Sequence, residues 1–182
     1  MSTRCQIAFH TGDIAEHDAL LYHHSDGYPS SQLKKIVAFL KKTDELLCRI
    51  DHHYWWDGER VAGFFVLLSA GVNKIPMIPD PKAFEIDSEE WIKLDPQTRH
   101  DTIGNRYPSY QPSVGLHCDI AYLYRVHLYE GESLGGRRHE PNTWKIEIYK
   151  VKGWENQSFD LLGTVDYNTD IDVWLKETLA EK

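Results

Sequence analysis

The amino-acid sequence predicts an α+β fold with a mainly antiparallel sheet and helices on one face of that sheet. Segments with the pattern of β-strands are grouped near the start and in the second half of the chain, and segments with helical spacing are grouped separately from them. Grouped elements favour α+β, whereas strictly alternating strands and helices would favour a parallel sheet. The predicted order is two strands, three helical segments, a long loop, three strands and a last helix.

Five segments have the apolar runs or the alternation that is typical of β-strands. The clearest is 119–129, in which every second residue from Ile120 to Leu128 is apolar or aromatic. A polar, glycine-containing loop at 131–142 follows it, so we expect this strand to pair with the next one as a β-hairpin. The five predicted strands are residues 5–9, 19–24, 119–129, 143–151 and 159–165.

Helical segments are predicted to follow Pro29, which suits the first position of a helix because its missing N–H is not needed there. Thr43 precedes two acidic residues and resembles a new N-cap, which predicts a second segment over 44–54. Thr169 and Asp172 have the spacing of a capping box and predict the start of the last helix. Apolar residues at helical spacing support the first and third segments: Leu33, Ile36, Val37 and Leu40, then Val61, Phe64, Phe65 and Leu68.

The length of 182 residues predicts a single domain over 1–182, with enough chain to bury a core without disulfides or metal. Six of the eight prolines lie in an excursion at about 73–113, where they disfavour regular structure. A connection of this length inside a domain is uncommon. Two interpretations stay open: the excursion covers a functional site, or it is an insertion packed by its own aromatic residues.

Composition and charge limit the partners. The chain carries 28 acidic and 20 basic residues, and its net charge of −8 makes diffuse binding to nucleic acid unexpected. Three scattered cysteines without C-x-x-C spacing indicate a reducing, cytoplasmic setting. Residues 1–10 lack the apolar stretch of a signal peptide, and the longest apolar run, 61–72, is too short to span a bilayer. We therefore expect a cytoplasmic protein that has no membrane partner.

Two short His-x-Asp stretches are the strongest functional signal. His24 and Asp26 lie at the end of the second predicted strand, and His117 and Asp119 lie at the start of the 119–129 strand. In an extended chain, residues two apart point to the same face, so each pair can present an imidazole beside a carboxylate. If the two strands that carry them are antiparallel neighbours, all four side chains converge at one edge of the sheet.

Such a cluster supports several chemistries. A carboxylate beside an imidazole makes a general base, and two His with two Asp can also hold a divalent ion. Alternatively, the cluster hydrogen-bonds a polar ligand between tyrosine rings. The structural alternative is that Asp26 caps the helix after Pro29 and that His24 is a turn residue. Our catalytic candidates are His24, Asp26, His117 and Asp119, and our ligand-binding candidates are Tyr22, Tyr28, Tyr122, Tyr124 and Arg125.

We assign no residues as metal ligands, and no sequence motif identifies a cofactor. Cys118 lies between His117 and Asp119 and is expected to be a buried, unreactive thiol. No Walker motif, G-x-G-x-x-G, H-E-x-x-H or G-x-S-x-G occurs in the sequence.

The motif Y-x-H-x-D-G-Y-P at 22–29, together with H-x-D-I-x-Y-x-Y at 117–124, resembles a family of small uncharacterised proteins from bacteria and their phages. The likeness extends to the helices after Pro29 and to the strand at 146–151, about half of the chain, whereas the excursion and the C-terminal helix look like additions. The resemblance implies no particular activity. A phage setting implies a role in defence or counter-defence, in which proteins bind a nucleotide signal or a host protein.

Three functions from different classes follow from these observations. The first is a cytoplasmic protein that binds a polar, nucleotide-like ligand through the His/Asp/Tyr cluster. The second is a hydrolase that uses the same His and Asp residues, with or without metal, on a phosphoester or nucleotide. The third is an acidic inhibitor that blocks a host protein by surface contact. The sequence leaves open whether the protein is an enzyme.

Overall fold

Residues 3–13, 16–47, 57–69, 110–131, 133–134, 137–138, 142–152 and 158–180 are described by a computed structural model of the chain. Three helices lie in these ranges: α1 (Pro29–Leu47), α2 (Gly58–Ser69) and α3 (Ile171–Ala180). The strands are β1 (Cys5–Thr11), β2 (Ala19–His23), β3 (Tyr110–Pro112), β4 (Tyr122–Tyr129), β5 (Ser133–Leu134), β6 (Arg137–Arg138), β7 (Thr143–Lys152) and β8 (Ser158–Asp166).

Six strands form one sheet in the order β3-β2-β1-β4-β7-β8, while β5 and β6 form a separate two-stranded ribbon. The pair of β1 and β4 is parallel. The other neighbouring pairs of the large sheet are antiparallel, including the predicted hairpin of β4 with β7. The predicted α+β fold with a mainly antiparallel sheet is therefore confirmed.

The helices cover one face of the sheet and enclose the main hydrophobic core. Side chains alternate along a strand, so this face receives every second residue of β1, β4 and β7. These buried strand residues include Ile7, Phe9, Tyr124, Val126, Leu128, Ile146 and Ile148. The helices contribute the apolar residues that the spacing predicted, including Leu33, Ile36, Leu40, Val61 and Phe65. None of the described helices is long and apolar enough to cross a membrane.

The opposite face holds a smaller apolar cluster close to the N-terminal ends of β1 and β4. Its buried members are Ala8, Leu20, Tyr22, Ile120 and Leu123. Gln6, fully buried on this face, accepts a hydrogen bond from the backbone N–H of His117 (2.8 Å) and donates one to the carbonyl of Gly115 (3.0 Å). The loop that leads into β4 is thereby tied to this face.

Some predicted boundaries are wrong. β4 begins at Tyr122, so His117 and Asp119 lie before the strand and not within it. Thr43 is a buried residue inside α1, which continues to Leu47 and does not restart there. The end of the proline-rich excursion forms the edge strand β3, which pairs with β2. The rest of the excursion, at 73–109, and most of the predicted second helical segment lie outside the described residues.

The two described cysteines differ in environment. Cys118 lies in the turn before β4 and is exposed, so the expectation that it is buried is wrong. The expectation failed because it assumed a strand at this position. Cys5 lies in the core, and its burial raises the pKa of the thiol to about 12, which keeps the thiol neutral.

Candidate functional site

Strand direction brings the two His-x-Asp stretches to the same end of the sheet. β1 and β4 are parallel, so their N-terminal ends lie side by side, and β2 is antiparallel to β1, so its C-terminal end lies there too. The condition that the two motif-bearing strands are antiparallel neighbours is not met, because β1 lies between β2 and β4. The motifs meet across β1 through the side chain of Tyr22.

The ring of Tyr22 is the centre of the site. It stacks on the His117 imidazole, with ring centroids 4.2 Å apart and an interplanar angle of 24°. The His24 ring meets it edge-on at 4.6 Å. Tyr22 itself is 4% exposed, whereas His24 and His117 are both exposed at the surface. Tyr22 and His117 therefore form a two-ring stack between the sheet and the surface, and His24 lies edge-on to Tyr22.

Asp119 joins this stack to a cation. The Tyr22 hydroxyl donates to its carboxylate, at 3.0 Å from one oxygen and 3.2 Å from the other. The Arg4 guanidinium lies 2.8 Å from the same carboxylate in an ion pair of half-exposed residues. Burial raises the pKa of Tyr22, and its hydrogen bond to Asp119 raises it further, so the phenol stays protonated and keeps donating. We call Arg4, Tyr22, His24, His117 and Asp119 the ring cluster.

Two residues of this arrangement were missed from the sequence. Arg4 precedes β1, and the backbone N–H of Ala121 donates to its carbonyl, which places Arg4 beside Asp119. Gln6 holds the backbone of His117. A polar Gln inside the otherwise apolar run of β1 was the available signal, because a buried amide must find hydrogen-bond partners.

Of the four His and Asp residues in the two motifs, Asp26 alone makes no described contact with the ring cluster. It is exposed and has a positive φ of 52°. Its backbone carbonyl accepts a hydrogen bond from the Gln32 side chain at 2.8 Å. In the described part of the chain, Asp26 thus acts through its backbone, as a turn residue that connects β2 to α1.

The other predicted tyrosine ligands, Tyr28, Tyr122 and Tyr124, lie on the helix-covered side of the sheet, opposite Tyr22. Tyr124 is fully buried, and its hydroxyl donates to the carbonyl of Gly27 at 2.8 Å. Tyr122 is half-buried, and its ring is 6.1 Å from that of Tyr28, which is 48% exposed. These three tyrosines secure the turn before α1 and are separated from the ring cluster by the sheet.

A second polar cluster, centred on Glu147, lies farther along the sheet face that the helices do not cover. Its carboxylate accepts a hydrogen bond from Tyr149 (2.8 Å) and is 3.4 Å from the Lys145 ammonium and 3.5 Å from Nε2 of His127. The predicted ligand residue Arg125 lies here, 5.1 Å from the centre of the Tyr149 ring. Arg125, His127, Lys145, Glu147 and Tyr149 form what we call the Glu147 network.

Opposing effects set the protonation of Glu147. Burial raises the pKa of its carboxyl, but the hydrogen bond from Tyr149 and the nearby His127 and Lys145 outweigh burial, so the pKa is lowered overall. The register pairs Arg125 with Glu147 and His127 with Lys145. Alternation of apolar residues predicted β4 and β7 but does not contain their register, so the Glu147 network was not predicted.

No group of three or more His, Cys, Asp or Glu residues in the described ranges is arranged to hold a metal ion. A scan against protein-family models and searches of curated proteins and of solved structures found no match to this chain. Function must therefore be argued from the geometry of the two clusters.

Proposed function

We propose that the protein binds a polar, nucleotide-like ligand at the ring cluster. The observation that carries the proposal is the stacked pair of Tyr22 and His117, in which Tyr22 is buried and His117 is exposed. Tyr22 covers one face of the imidazole, so the ligand is proposed to stack on the opposite face of this exposed side chain. A flat base can extend the stack there, and base stacking on aromatic side chains contributes about 1–3 kcal/mol per base.

Polar groups beside the stack support the same ligand class. The Asp119 carboxylate can accept hydrogen bonds from the amino groups of a base. The Arg4 side chain is 42% exposed beside its ion pair with Asp119. A ligand with phosphate or carbonyl oxygens supplies the acceptors that a guanidinium requires.

The hydrolase alternative has less support from the contacts. A general base needs a carboxylate that orients its imidazole. The described hydrogen bonds of Asp119 go to Arg4 and Tyr22, and no described hydrogen bond joins His117 to Asp119 or His24 to Asp26. The third function, an acidic inhibitor of a host protein, rests on the net charge of −8. The role in defence or counter-defence stays a prediction.

Calorimetric titration with AMP, GMP, CMP and UMP tests the binding proposal. We expect at least one nucleotide to bind, and ribose 5-phosphate, which lacks a base, to bind much more weakly. His117→Ala should weaken binding about tenfold or more, because the base loses its stacking surface. His117→Phe should retain binding, because it keeps a flat ring.

The same variants separate binding from hydrolysis. If His117 is a catalytic base, wild-type protein releases phosphate or base from the nucleotide, and His117→Phe abolishes that turnover. If the proposal is correct, no turnover is seen in either protein. Equal affinity of wild type and His117→Ala, or no binding of any of the four nucleotides, contradicts the proposal.

A further inference from the structure

Aromatic side chains continue beyond the ring cluster on the sheet face opposite the helices. Tyr149 of β7 and Phe159 of β8 are partly buried and pack against the apolar cluster that contains Tyr22. Their rings meet edge-on, with centroids 6.3 Å apart. Leu161, the cross-strand partner of Tyr149, is 55% exposed, so this part of the face reaches the surface. The face therefore carries a second aromatic group, which the stack on His117 does not use.

The strand register places the two aromatic groups on one row across the sheet. The row runs through four neighbouring strands, with Tyr149 in β7, Leu123 in β4, Gln6 in β1 and Tyr22 in β2. Neighbouring strands are about 4.8 Å apart, so three spacings put Tyr149 about 14 Å from Tyr22. Successive nucleotides rise about 3.4 Å along each strand of a duplex, so about four steps cover this distance. One base cannot stack on both groups, whereas two bases of a short strand can.

Arg125 lies on β4, between the strands that carry the two aromatic groups. Its guanidinium is 5.1 Å from the centre of the Tyr149 ring. The carboxylate of Glu147 is engaged by other members of its network, and no carboxylate within the described ranges forms an ion pair with Arg125. Arg4 provides a second, half-exposed guanidinium at the ring cluster, where it shares its charge with Asp119. Because guanidinium groups bind phosphate oxygens well, each aromatic group has a partner for a phosphate beside it.

The net charge of the chain determines how such a strand is held. At −8, the protein as a whole does not attract a polyanion, so stacking on the rings must supply most of the affinity. Stacking tolerates any sequence, because every base has a flat face. It also requires bases that are free of a paired helix, and a duplex does not offer them. The ligand that fits this face is therefore single-stranded.

We propose that this face of the sheet binds a short single-stranded nucleic acid, with one base on His117 and another on Tyr149. The inference rests on the proposed nucleotide binding at the ring cluster, and it specifies the ligand as a strand of about four or more nucleotides. The phosphates between the two bases are held by Arg125 and Arg4.

Fluorescence anisotropy with labelled hexanucleotides tests the inference. We would measure adenine, cytosine and uracil strands of RNA, the corresponding DNA strands, and a duplex, with AMP, CMP and UMP as unlabelled competitors. At least one single strand should bind about tenfold or more tightly than its own mononucleotide, because two bases stack instead of one. The duplex should bind much more weakly. The RNA and DNA series show whether the 2′-hydroxyl contributes.

Tyr149→Ala separates the strand from the mononucleotide. It removes the second stacking surface, so hexanucleotide affinity should fall about tenfold. The affinity for the mononucleotide should stay unchanged, because that ligand stacks on His117. Tyr149→Phe is the matched variant, since it keeps the ring and should retain hexanucleotide binding.

Arg125→Gln tests the phosphate contact, and Lys41→Gln, at an exposed position on α1, is the control with the same loss of charge. For a single strand, each phosphate contact contributes about −0.7 to the slope of log affinity against log salt concentration. The slope should therefore become shallower by about 0.7 in Arg125→Gln and should not change in Lys41→Gln. Should Tyr149→Ala fail to fold, the Arg125→Gln measurement decides.

Three results would overturn the inference: hexanucleotides bind no more tightly than mononucleotides, the duplex binds as tightly as the single strands, or Tyr149→Ala and Arg125→Gln both leave hexanucleotide binding unchanged. If mononucleotides still bind and depend on His117 in these cases, the proposed function stands while the inference fails. If neither mononucleotides nor hexanucleotides bind, both fail.

Discussion

Asp26 and Gly27 meet two different structural requirements of the turn before α1. In an Asp-Gly turn the glycine commonly supplies the positive φ, but here the positive φ, 52°, belongs to Asp26. Gly27 is needed for space instead. A Cβ at this position would lie 2.8 Å from the carbonyl carbon of Arg4 and 2.9 Å from the backbone nitrogen of Cys5. A dipeptide pattern indicates a turn. Only the packed neighbours show which residue adopts the positive φ and which one must lack a side chain.

Gly27→Ala should therefore destabilise the protein, because backbone atoms of β1 cannot yield as a flexible side chain can. We expect a loss of about 1–3 kcal/mol, the cost of overpacking. Gly63→Ala is the control: this helical position is exposed and has no neighbour within 4 Å, so alanine should stabilise α2 by about 0.5–1 kcal/mol. Urea unfolding of both variants measures the difference. Equal effects of the two substitutions would show that the close approach at Gly27 does not affect the free energy of unfolding.

The N-cap of α3 is not the residue that the capping pattern in the sequence predicted. The Thr169 and Asp172 spacing predicted a capping box with Thr169 as the N-cap. The structure gives that role to Asp170, whose Oδ1 accepts hydrogen bonds from the N–H groups of Asp172 (3.0 Å) and Val173 (3.2 Å). The Thr169 hydroxyl is bonded to Asp166 in the preceding turn. The position of the helix was predictable within one residue, but the choice between adjacent capping residues was not.

Asp170→Ala should lower the free energy of unfolding by about 1 kcal/mol, because two N–H groups of the first turn lose their acceptor. Asp170→Asn should retain most of the stability, because an asparagine side chain caps nearly as well. Thermal unfolding of the two variants measures this. Similar losses for both would indicate that the charge of Asp170, and not its hydrogen bonding, stabilises α3.

Local periodicity was a good guide to most elements. The spacing of Leu33, Ile36 and Leu40 located α1, and alternation located β4 and β7. Periodicity failed at Thr43, where a polar residue buried inside a helix looked like a cap. It failed again near His117, because the predicted alternation of β4 was continued back to Asp119, whereas the strand begins at Tyr122.

At the scale of the whole molecule, the ring cluster depends on strand order, which short-range patterns do not contain. The two His-x-Asp motifs were visible, but the participation of Arg4 and the exclusion of Asp26 follow from the placement of β1 between β2 and β4. The Glu147 network likewise depends on the register of β4 against β7. Contacts between residues far apart in the chain were therefore the part that the sequence could not supply.

The Glu147 network should make stability depend on pH on the acid side. The pKa of Glu147 is lowered from its ordinary value of 4.5, so its contribution is fully present above about pH 4.5 and is lost as the pH falls through the folded-state pKa. Glu147→Gln should cost about 1 kcal/mol at neutral pH. Its melting temperature should then decline less steeply than that of the wild type on acidification.

The control for this experiment is Glu177→Gln, at an exposed position on α3, which should follow the wild-type curve. Melting temperatures measured by circular dichroism between neutral pH and pH 3 (~4 units on the pH scale) cover the titration of a carboxyl group whose pKa is lowered. Parallel curves for the wild type and Glu147→Gln would show that the network does not couple folding to protonation.

The parallel pairing of β1 with β4 also has a consequence for synthesis on the ribosome. Arg4 and Asp119, which flank these strands, are 115 residues apart in the chain. β1 therefore leaves the ribosome long before β4, the strand with which it pairs in parallel. During that interval one edge of a highly apolar strand has no partner from its own sheet, and such edges recruit other chains. The nascent chain should thus need protection at β1 until β4 has been translated.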